Sequence, residues 1–218
     1  MTRSGRPELD AESTGRDAIR DADADADAGE REAIAIAVTR LEIELYANLE
    51  GLDAQAHELV RRARALDMRE AELRCRLLQA DVLARTRDVP GAVEMVRSVQ
   101  DAAEAEGHRL VLARCHAIMA SALDRLGARA NSLDEAERGV QLLDDTSPLH
   151  IQLEHTMTLA LLTSSFRSGT VSFDLFERAL ELAHRLAEPV MHLAVLNNIA
   201  WIQCESGDLA AARASVDE

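Results

Sequence analysis

A small residue recurs every 40 residues along most of this chain, and this period constrains the fold more than any other feature. The recurring residue is alanine at four positions: Ala80, Ala120, Ala160 and Ala200. A leucine or alanine stands seven residues before each of them: Leu73, Ala113, Leu153 and Leu193. Such a period is typical of repeat proteins, in which each repeat is one supersecondary unit. Packed helices need a small residue where they cross closest, so the alanines predict a regular helix–helix contact.

Apolar residues recur at helical spacing from about residue 29 to the end of the chain. Helix-breaking residues divide this pattern into intervals that each fit one helix and a short loop. The first helix of each pair is predicted at about 29–50, 67–87, 108–127, 148–168 and 188–206, and the second at 52–66, 90–106, 131–145, 171–187 and 208–218. Aromatic residues make up only 2% of the chain and strand-forming residues are scarce. The sequence therefore predicts an all-α fold of about five antiparallel helical hairpins.

The two ends of the chain differ from this pattern. Residues 1–28 are acidic, lack apolar periodicity and include an Asp-Ala alternation, which predicts a disordered tail before the repeat domain at 29–218. The aspartates do not form a calcium loop, because the positions of the required Gly and Glu hold Ala28 and Ile34. The last helix is short and no polar capping helix follows it. We expect a repeat domain truncated at this end, with docking or self-association there, or simple fraying, as the alternatives.

Composition and motifs exclude several classes of function. A net charge of −15 disfavours nucleic acid and anionic membranes as partners. No catalytic or phosphate-binding motif occurs, so we expect no enzyme and no cofactor. Cys75, Cys115 and His155 share one repeat position, but we expect packed residues there rather than a metal site. The carboxylate pair Glu42 and Glu44 is assigned to a solvated face. An odd number of cysteines and the lack of a signal peptide favour the cytoplasm.

Several segments resemble tetratricopeptide repeats (TPRs), a family of helical hairpins. The segment Ile199-Ala200 followed by Gly207-Asp208-Leu209-Ala210 is the best match, and Phe176–Leu182 is similar to the family's second helix. Leu126-Gly127 with Leu133–Ala136 is a further match that contains an insertion. The period of 40 exceeds the family's 34, and the usual Trp and Tyr are mostly absent. The segment Ala194–Trp201 with Gly207-Asp208 resembles the long-period TPR arrays that precede catalytic domains in bacterial signalling proteins, such as GGDEF-type diguanylate cyclases.

This resemblance implies a right-handed α-solenoid whose first helices line a concave groove. It implies that seven residues face a peptide or protein partner there: Arg74, Arg85, Arg114, Arg125, Asn197, Asn198 and Trp201. Four converging guanidinium groups would bind an acidic ligand. The alternatives are that these arginines pair with nearby acids, as Arg85 with Asp81, and that Trp201 belongs to the core.

Two functions follow as hypotheses. The first is a scaffold that binds a protein or peptide in the concave groove. The second is the N-terminal regulatory or sensory region of a larger signalling protein, either a diguanylate cyclase or a transcription regulator.

Overall fold

The computed structural model describes residues 8–86, 88–166 and 170–217. All regular structure in these ranges is helical, which confirms the all-α prediction. The helices are α1 Glu8–Glu44, α2 Leu52–Ala65, α3 Arg69–Thr86, α4 Val89–Glu106, α5 Arg109–Arg125, α6 Arg129–Gln141, α7 Leu149–Phe166, α8 Thr170–Leu186, α9 Pro189–Glu205 and α10 Leu209–Asp217. None of them, within the described residues, is long and apolar enough to cross a bilayer.

Each helix packs against the next one along the chain, from α1 with α2 to α9 with α10. The odd-numbered helices also contact one another in order, α1 with α3, α3 with α5, α5 with α7 and α7 with α9. We call these five helices the inner row. Helix α9 also touches α1, so the inner row curves until its two ends meet.

The 40-residue period is visible in the burial of side chains and in the backbone. The four recurring alanines are 0%, 0%, 0% and 6% exposed, in chain order. Three of the four junctions between hairpins place a residue in the left-handed region: Asp67, Gly107 and Ala187, with φ of 53°, 77° and 56°. Asp67 and Ala187 adopt this conformation at a cost of about 1–2 kcal/mol that Gly107 avoids. Hairpin packing and chain reversal therefore recur at the same positions.

Three helix boundaries differ from the prediction by more than two residues, and one of them is the end of α1, which lies at Glu44 rather than at 50. Helix α6 ends at Gln141 rather than 145, because Asp144 accepts hydrogen bonds from the Thr146 amide and hydroxyl, at 3.0 and 2.6 Å, and these bonds form a turn. Helix α1 begins at Glu8, so it includes residues 8–28 of the segment that the sequence assigns to a disordered tail. Residues 1–7 of that segment lie outside the described residues. The alanines of the Asp-Ala run favour helix, and residues 25–29 are exposed. The disorder of this segment in solution stays a prediction.

The close helix contact at Ala120 predicts the effect of a larger side chain there. Ala120 is fully buried against Ala136 and Leu162, so Ala120→Leu should lower the free energy of unfolding by about 1–3 kcal/mol through overpacking. Ala130→Leu is the matched control, because Ala130 lies exposed on α6. Urea unfolding followed by circular dichroism measures both. Equal stability of the two variants would contradict the packing role of the repeated alanine.

Candidate functional site

A cavity of about 320 Å³ lies on the inner face, and all five helical hairpins contribute to it. Its apolar walls come from α5, α7 and α9 and include Ile118, Met157, Leu161, Met191 and Val195. Its polar groups come from the end of the first hairpin's helix and from the other four inner helices: Tyr46, Asp81, Arg85, Ser121, Arg125, Glu154, Thr158 and Asn198. Apolar walls with a few convergent polar groups are typical of a ligand site.

A buried ion network lies beside this cavity and is centred on Glu42 of α1. The Glu42 carboxylate accepts from Nε of Arg74 at 2.9 Å and from Nη1 of Arg114 at 2.5 Å. Its second oxygen lies 3.0 Å from Nε2 of His150. Arg114 also donates through Nε to Glu154 at 3.0 Å. One carboxylate therefore links α1 to α3, α5 and α7.

The repeat explains how three of these residues meet. Arg74, Arg114 and Glu154 stand 40 residues apart at one repeat position, so neighbouring inner helices place them in a line. Glu42 enters from α1, where it follows the buried side chains Ile34 and Val38. It is 2% exposed, so its assignment to a solvated face is wrong. The sequence did contain a signal for this burial, because Glu42 follows Ile34 and Val38 at the helical spacing of core residues.

The pKa values in the network favour ionised groups. Burial alone raises the pKa of Glu42, but Arg114, the hydrogen bond with His150 and Arg74 together hold it well below its usual range. The pKa of Glu154 is lowered in the same way, with burial opposed chiefly by Arg114. The pKa of Arg114 is raised, because Glu154 and Glu42 outweigh the burial of its guanidinium. Glu42, Glu154 and Arg114 are therefore charged at neutral pH.

Tyr46 connects the network to the cavity. Its ring lies under Arg85, with 5.4 Å between the guanidinium carbon and the ring centroid. Burial and the charge of Glu154 raise its pKa well above 10, so the hydroxyl is protonated. No buried polar side-chain atom among the described residues lacks a partner, and no hydrogen bond of these residues uses this hydroxyl. Tyr46 is one of the residues that line the cavity, so a ligand in the cavity would meet its side chain.

The cavity and the ion network beside it together contain four arginines but only three carboxylates. Arg74 and Arg114 pair with Glu42 and Glu154, as described above. Arg85 donates to Asp81 through Nε at 2.8 Å. Arg125 lines the cavity and, within the described part of the chain, makes no ion pair or side-chain hydrogen bond. The single excess positive charge therefore belongs to Arg125, in a chain whose net charge is −15.

The seven residues predicted for the groove divide into three groups. Arg85, Arg125 and Asn198 line the cavity. Arg74 and Arg114 lie beside it in the ion network, with side chains only 18% and 1% exposed. Asn197 and Trp201 are exposed and do not line it.

Arg74, Arg85 and Arg114 pair with nearby acids, as the alternative prediction had it. Trp201 is 51% exposed, so the alternative that it belongs to the core is wrong. The role of these residues in binding stays a prediction. Tyr46 was missed because it follows the first hairpin's helix, which is out of register with the other repeats.

The shared position of Cys75, Cys115 and His155 holds packed side chains, as expected. All three are at most 1% exposed, and burial raises the pKa of each thiol to about 12. The His155 nitrogens lie 2.8 Å from the carbonyl oxygens of Ile151 and Ala113. The described residues contain no group of three His, Cys, Asp or Glu side chains placed to hold a metal ion.

The ion network predicts a large effect of removing its central charge. Glu42→Gln leaves Arg74 and Arg114 without their shared carboxylate, and we expect a loss of about 3–5 kcal/mol in unfolding free energy. Glu58→Gln is the matched control, because the Arg61–Glu58 pair is exposed and should contribute little. Chemical denaturation measures both variants. A loss at Glu42 no larger than that at Glu58 would contradict the role of the network.

The contribution of Glu42 to the free energy of unfolding should also depend on pH. The folded-state pKa of Glu42 lies below the unfolded value of about 4.3, so its stabilisation is present above that pH and is lost as the pH falls below it. The wild-type unfolding free energy should therefore decrease more steeply below about pH 4.3 than that of Glu42→Gln. Parallel curves would contradict this.

Comparison of the chain with protein-family models, with curated proteins and with solved structures gives no match in any of the three. The resemblance to TPRs thus stays an expectation from the sequence.

Proposed function

We propose that this chain is a TPR-like, right-handed α-solenoid that binds a protein or peptide partner on its inner face. Two observations support the repeat architecture. The four alanines of one repeat position are buried alike, and the inner helices contact one another in chain order. A solenoid of stacked hairpins has both properties, because each repeat contacts its neighbours in the same way.

The unpaired Arg125 is the observation that supports the choice of ligand. A guanidinium group binds a carboxylate with two parallel hydrogen bonds, and Arg125 has none of its donors committed. The neighbouring Ser121 hydroxyl and the Tyr46 hydroxyl add polar groups, and Met157 and Val195 add apolar surface. The ligand that fits is an acidic side chain next to an apolar one.

The size of the cavity limits how much of a partner it holds. A volume of about 320 Å³ is at the lower end of ligand pockets, which span about 300–1,000 Å³. Helix α1 and its ion network occupy the part of the inner face next to it. A long extended peptide therefore does not fit entirely inside. We propose that one or two side chains of the partner enter the cavity.

A peptide array tests this proposal. The probes are dodecapeptides with a single Glu or Asp flanked by Leu, Met or Val, and matched peptides with Gln or Asn instead. We expect binding of acidic peptides, a loss of at least tenfold in affinity in the matched amides, and the same loss in Arg125→Glu. Fluorescence anisotropy measures the affinities.

Arg129→Glu is the control for this test, since Arg129 is exposed at the start of α6, outside the cavity. It makes the same change in net charge and should bind as the wild type does. Arg125→Glu should lower the unfolding free energy by no more than about 1–2 kcal/mol, because Arg125 has no ion pair to lose and only its position in the last turn of α5 opposes the new charge. Equal binding of acidic and amide peptides, or full binding by Arg125→Glu, would overturn the proposal.

A regulatory region that senses a small anion is the second candidate. Tyr46 favours it, because this residue follows α1, packs against the α7–α9 core and lines the cavity. A ligand that contacts Tyr46 thus touches the end of α1, whose Glu42 contacts three other helices. Such a coupling suits the N-terminal region of a larger diguanylate cyclase or transcription regulator. For both candidate functions we propose a cytoplasmic location. The buried thiols of Cys75 and Cys115, which form no disulfide, are consistent with it.

Short linear monocarboxylates separate the two candidates. Under the sensory proposal, butanoate to octanoate should raise the melting temperature, with the matched alcohols and Arg125→Glu showing no increase. Differential scanning calorimetry at constant ionic strength measures this. No shift with any monocarboxylate, together with binding of acidic dodecapeptides, would exclude the sensory proposal and favour the peptide scaffold.

A further inference from the structure

The imidazole ring of His155 links α7 to α5 through both of its nitrogens. Nδ1 lies 2.8 Å from the carbonyl oxygen of Ile151, one turn earlier in α7. Nε2 lies 2.8 Å from the carbonyl oxygen of Ala113 in α5. His155 is only 1% exposed, so both contacts are shielded from water. A buried ring therefore holds two neighbouring inner helices together.

The space for this ring comes from a glycine in α6. A Cβ atom at Gly139 would lie 2.9 Å from Cδ2 of His155, which is closer than side chains pack. The other second helices have a larger residue at this repeat position, and all of these residues are buried: Leu59, Val99 and Ala179. Glycine disfavours a helix, so its place inside α6 needs a reason, and the ring supplies one.

The preceding repeats fill the same space in a different way. At the position of His155 they contain Cys75 and Cys115. Cys75 belongs to one core cluster with Leu59, and Cys115 belongs to another with Val99. A small thiol thus accompanies a large aliphatic side chain there, whereas an imidazole accompanies a glycine here. This exchange of volumes indicates that the junction is shaped around the His155 ring.

The two partners of the ring determine which form of imidazole fits. A carbonyl oxygen accepts hydrogen bonds and donates none. A neutral imidazole has one N–H group, so it bonds to one of the two carbonyls and turns a nitrogen lone pair towards the other. An imidazolium ion has two N–H groups and bonds to both. The geometry at His155 therefore matches the charged ring.

The charged groups around the ring include a carboxylate that stabilises a positive charge. Glu154 precedes His155 in α7, and its pKa is lowered despite its burial, chiefly by Arg114 and next by the charge of His155. Arg114 itself is paired with Glu42 and Glu154. The other ionisable groups near the ring are Asp144 and Asp145 after α6 and Arg178 of α8, which line an outer pocket with His155, and the Cys115 thiol of α5, whose pKa burial raises to about 12.

We propose that His155 is an imidazolium ion in the folded protein and that its two N–H groups form a proton-dependent link between α5 and α7. These helices also supply cavity walls, among them Ile118 and Met157. Above a pH of about 6.5 a histidine of the unfolded chain is mostly neutral, so folding takes up a proton there. Because the folded state then holds more protons, the contribution to stability is complete below that pH and is lost as the pH rises.

NMR of the full chain, with 15N in its histidines, tests the charge of the ring at pH 7.5. We expect both ring nitrogens of His155 to carry a proton. His57 gives the reference signal within the same molecule, because it is exposed on α2. The variant His155→Cys assigns the signal by its loss. A single protonated nitrogen on His155 would contradict the proposal.

Urea unfolding at pH 7 and pH 8 tests the link. The matched variant combines His155→Cys with Gly139→Val, which reproduces the packing of Cys115 with Val99 without an imidazole. Relative to this variant, the unfolding equilibrium constant of the wild type should rise about tenfold per pH unit, as a difference of one bound proton requires. Equal pH dependence of the two proteins would overturn the proposal.

Two further variants keep this test decisive. His155→Gln gives the same comparison as the double variant, because its amide stays neutral over this pH range. Arg125→Glu should show the wild-type pH dependence, because His155 does not line the cavity. The link at His155 and the proposed ligand of Arg125 therefore fail separately.

Discussion

The arrangement of the inner helices depends on the ion pairs and hydrogen bonds of the Glu42 carboxylate. A buried carboxylate is strongly unfavourable unless it is paired and its oxygens accept hydrogen bonds. Glu42 meets both conditions only if α3, α5 and α7 present Arg74, Arg114 and His150 to it together. Apolar packing tolerates a small slide of one helix past another, but this network does not. The position of α1 in the inner row is therefore specified by charge as well as by shape.

The same network determines which charge is available for binding. Arg74, Arg85 and Arg114 are committed to carboxylates of the protein, so they stabilise the fold instead of offering donors to a ligand. Arg125 has the same repeat position as Arg85 but no acid at the matching place, since Ser121 stands where Asp81 stands one repeat earlier. A serine in place of an aspartate thus leaves one guanidinium unpaired at the cavity. The selectivity that we propose for an anion arises from this single difference between repeats.

The sequence predicts the helices and their packing well, because both depend on local periodicity and on the 40-residue step. It does not predict the role of Glu42, whose partners Arg114 and His150 lie 72 and 108 residues away in the chain. The first hairpin is out of register with the others, so no repeat position indicated where its acid would lie. The pair formed by Arg114 and Glu154 was easier to predict from the sequence, because both residues occupy one repeat position on adjacent inner helices. A shared repeat position does not always predict a shared environment. Asp81, Ser121 and Leu161 line the cavity, but Trp201, at the same repeat position, does not.

The reason for this difference is that a repeat position has a fixed environment only where both neighbouring repeats are present. At α1 the inner row is closed, because Glu42 and Tyr46 contact the helices that follow. At α9 the row has no next helix among the described residues, and the residues at its covered positions become exposed. The helix that ends the row also contains no Asp, Glu, Arg or Lys between Glu188 and Glu205. One end of the row is thus held by charges inside the fold, whereas the other presents an uncharged surface outside it. The two ends of the row therefore differ in chemistry, because acidic and basic side chains meet at α1 whereas the exposed Leu193 and Trp201 lie on α9.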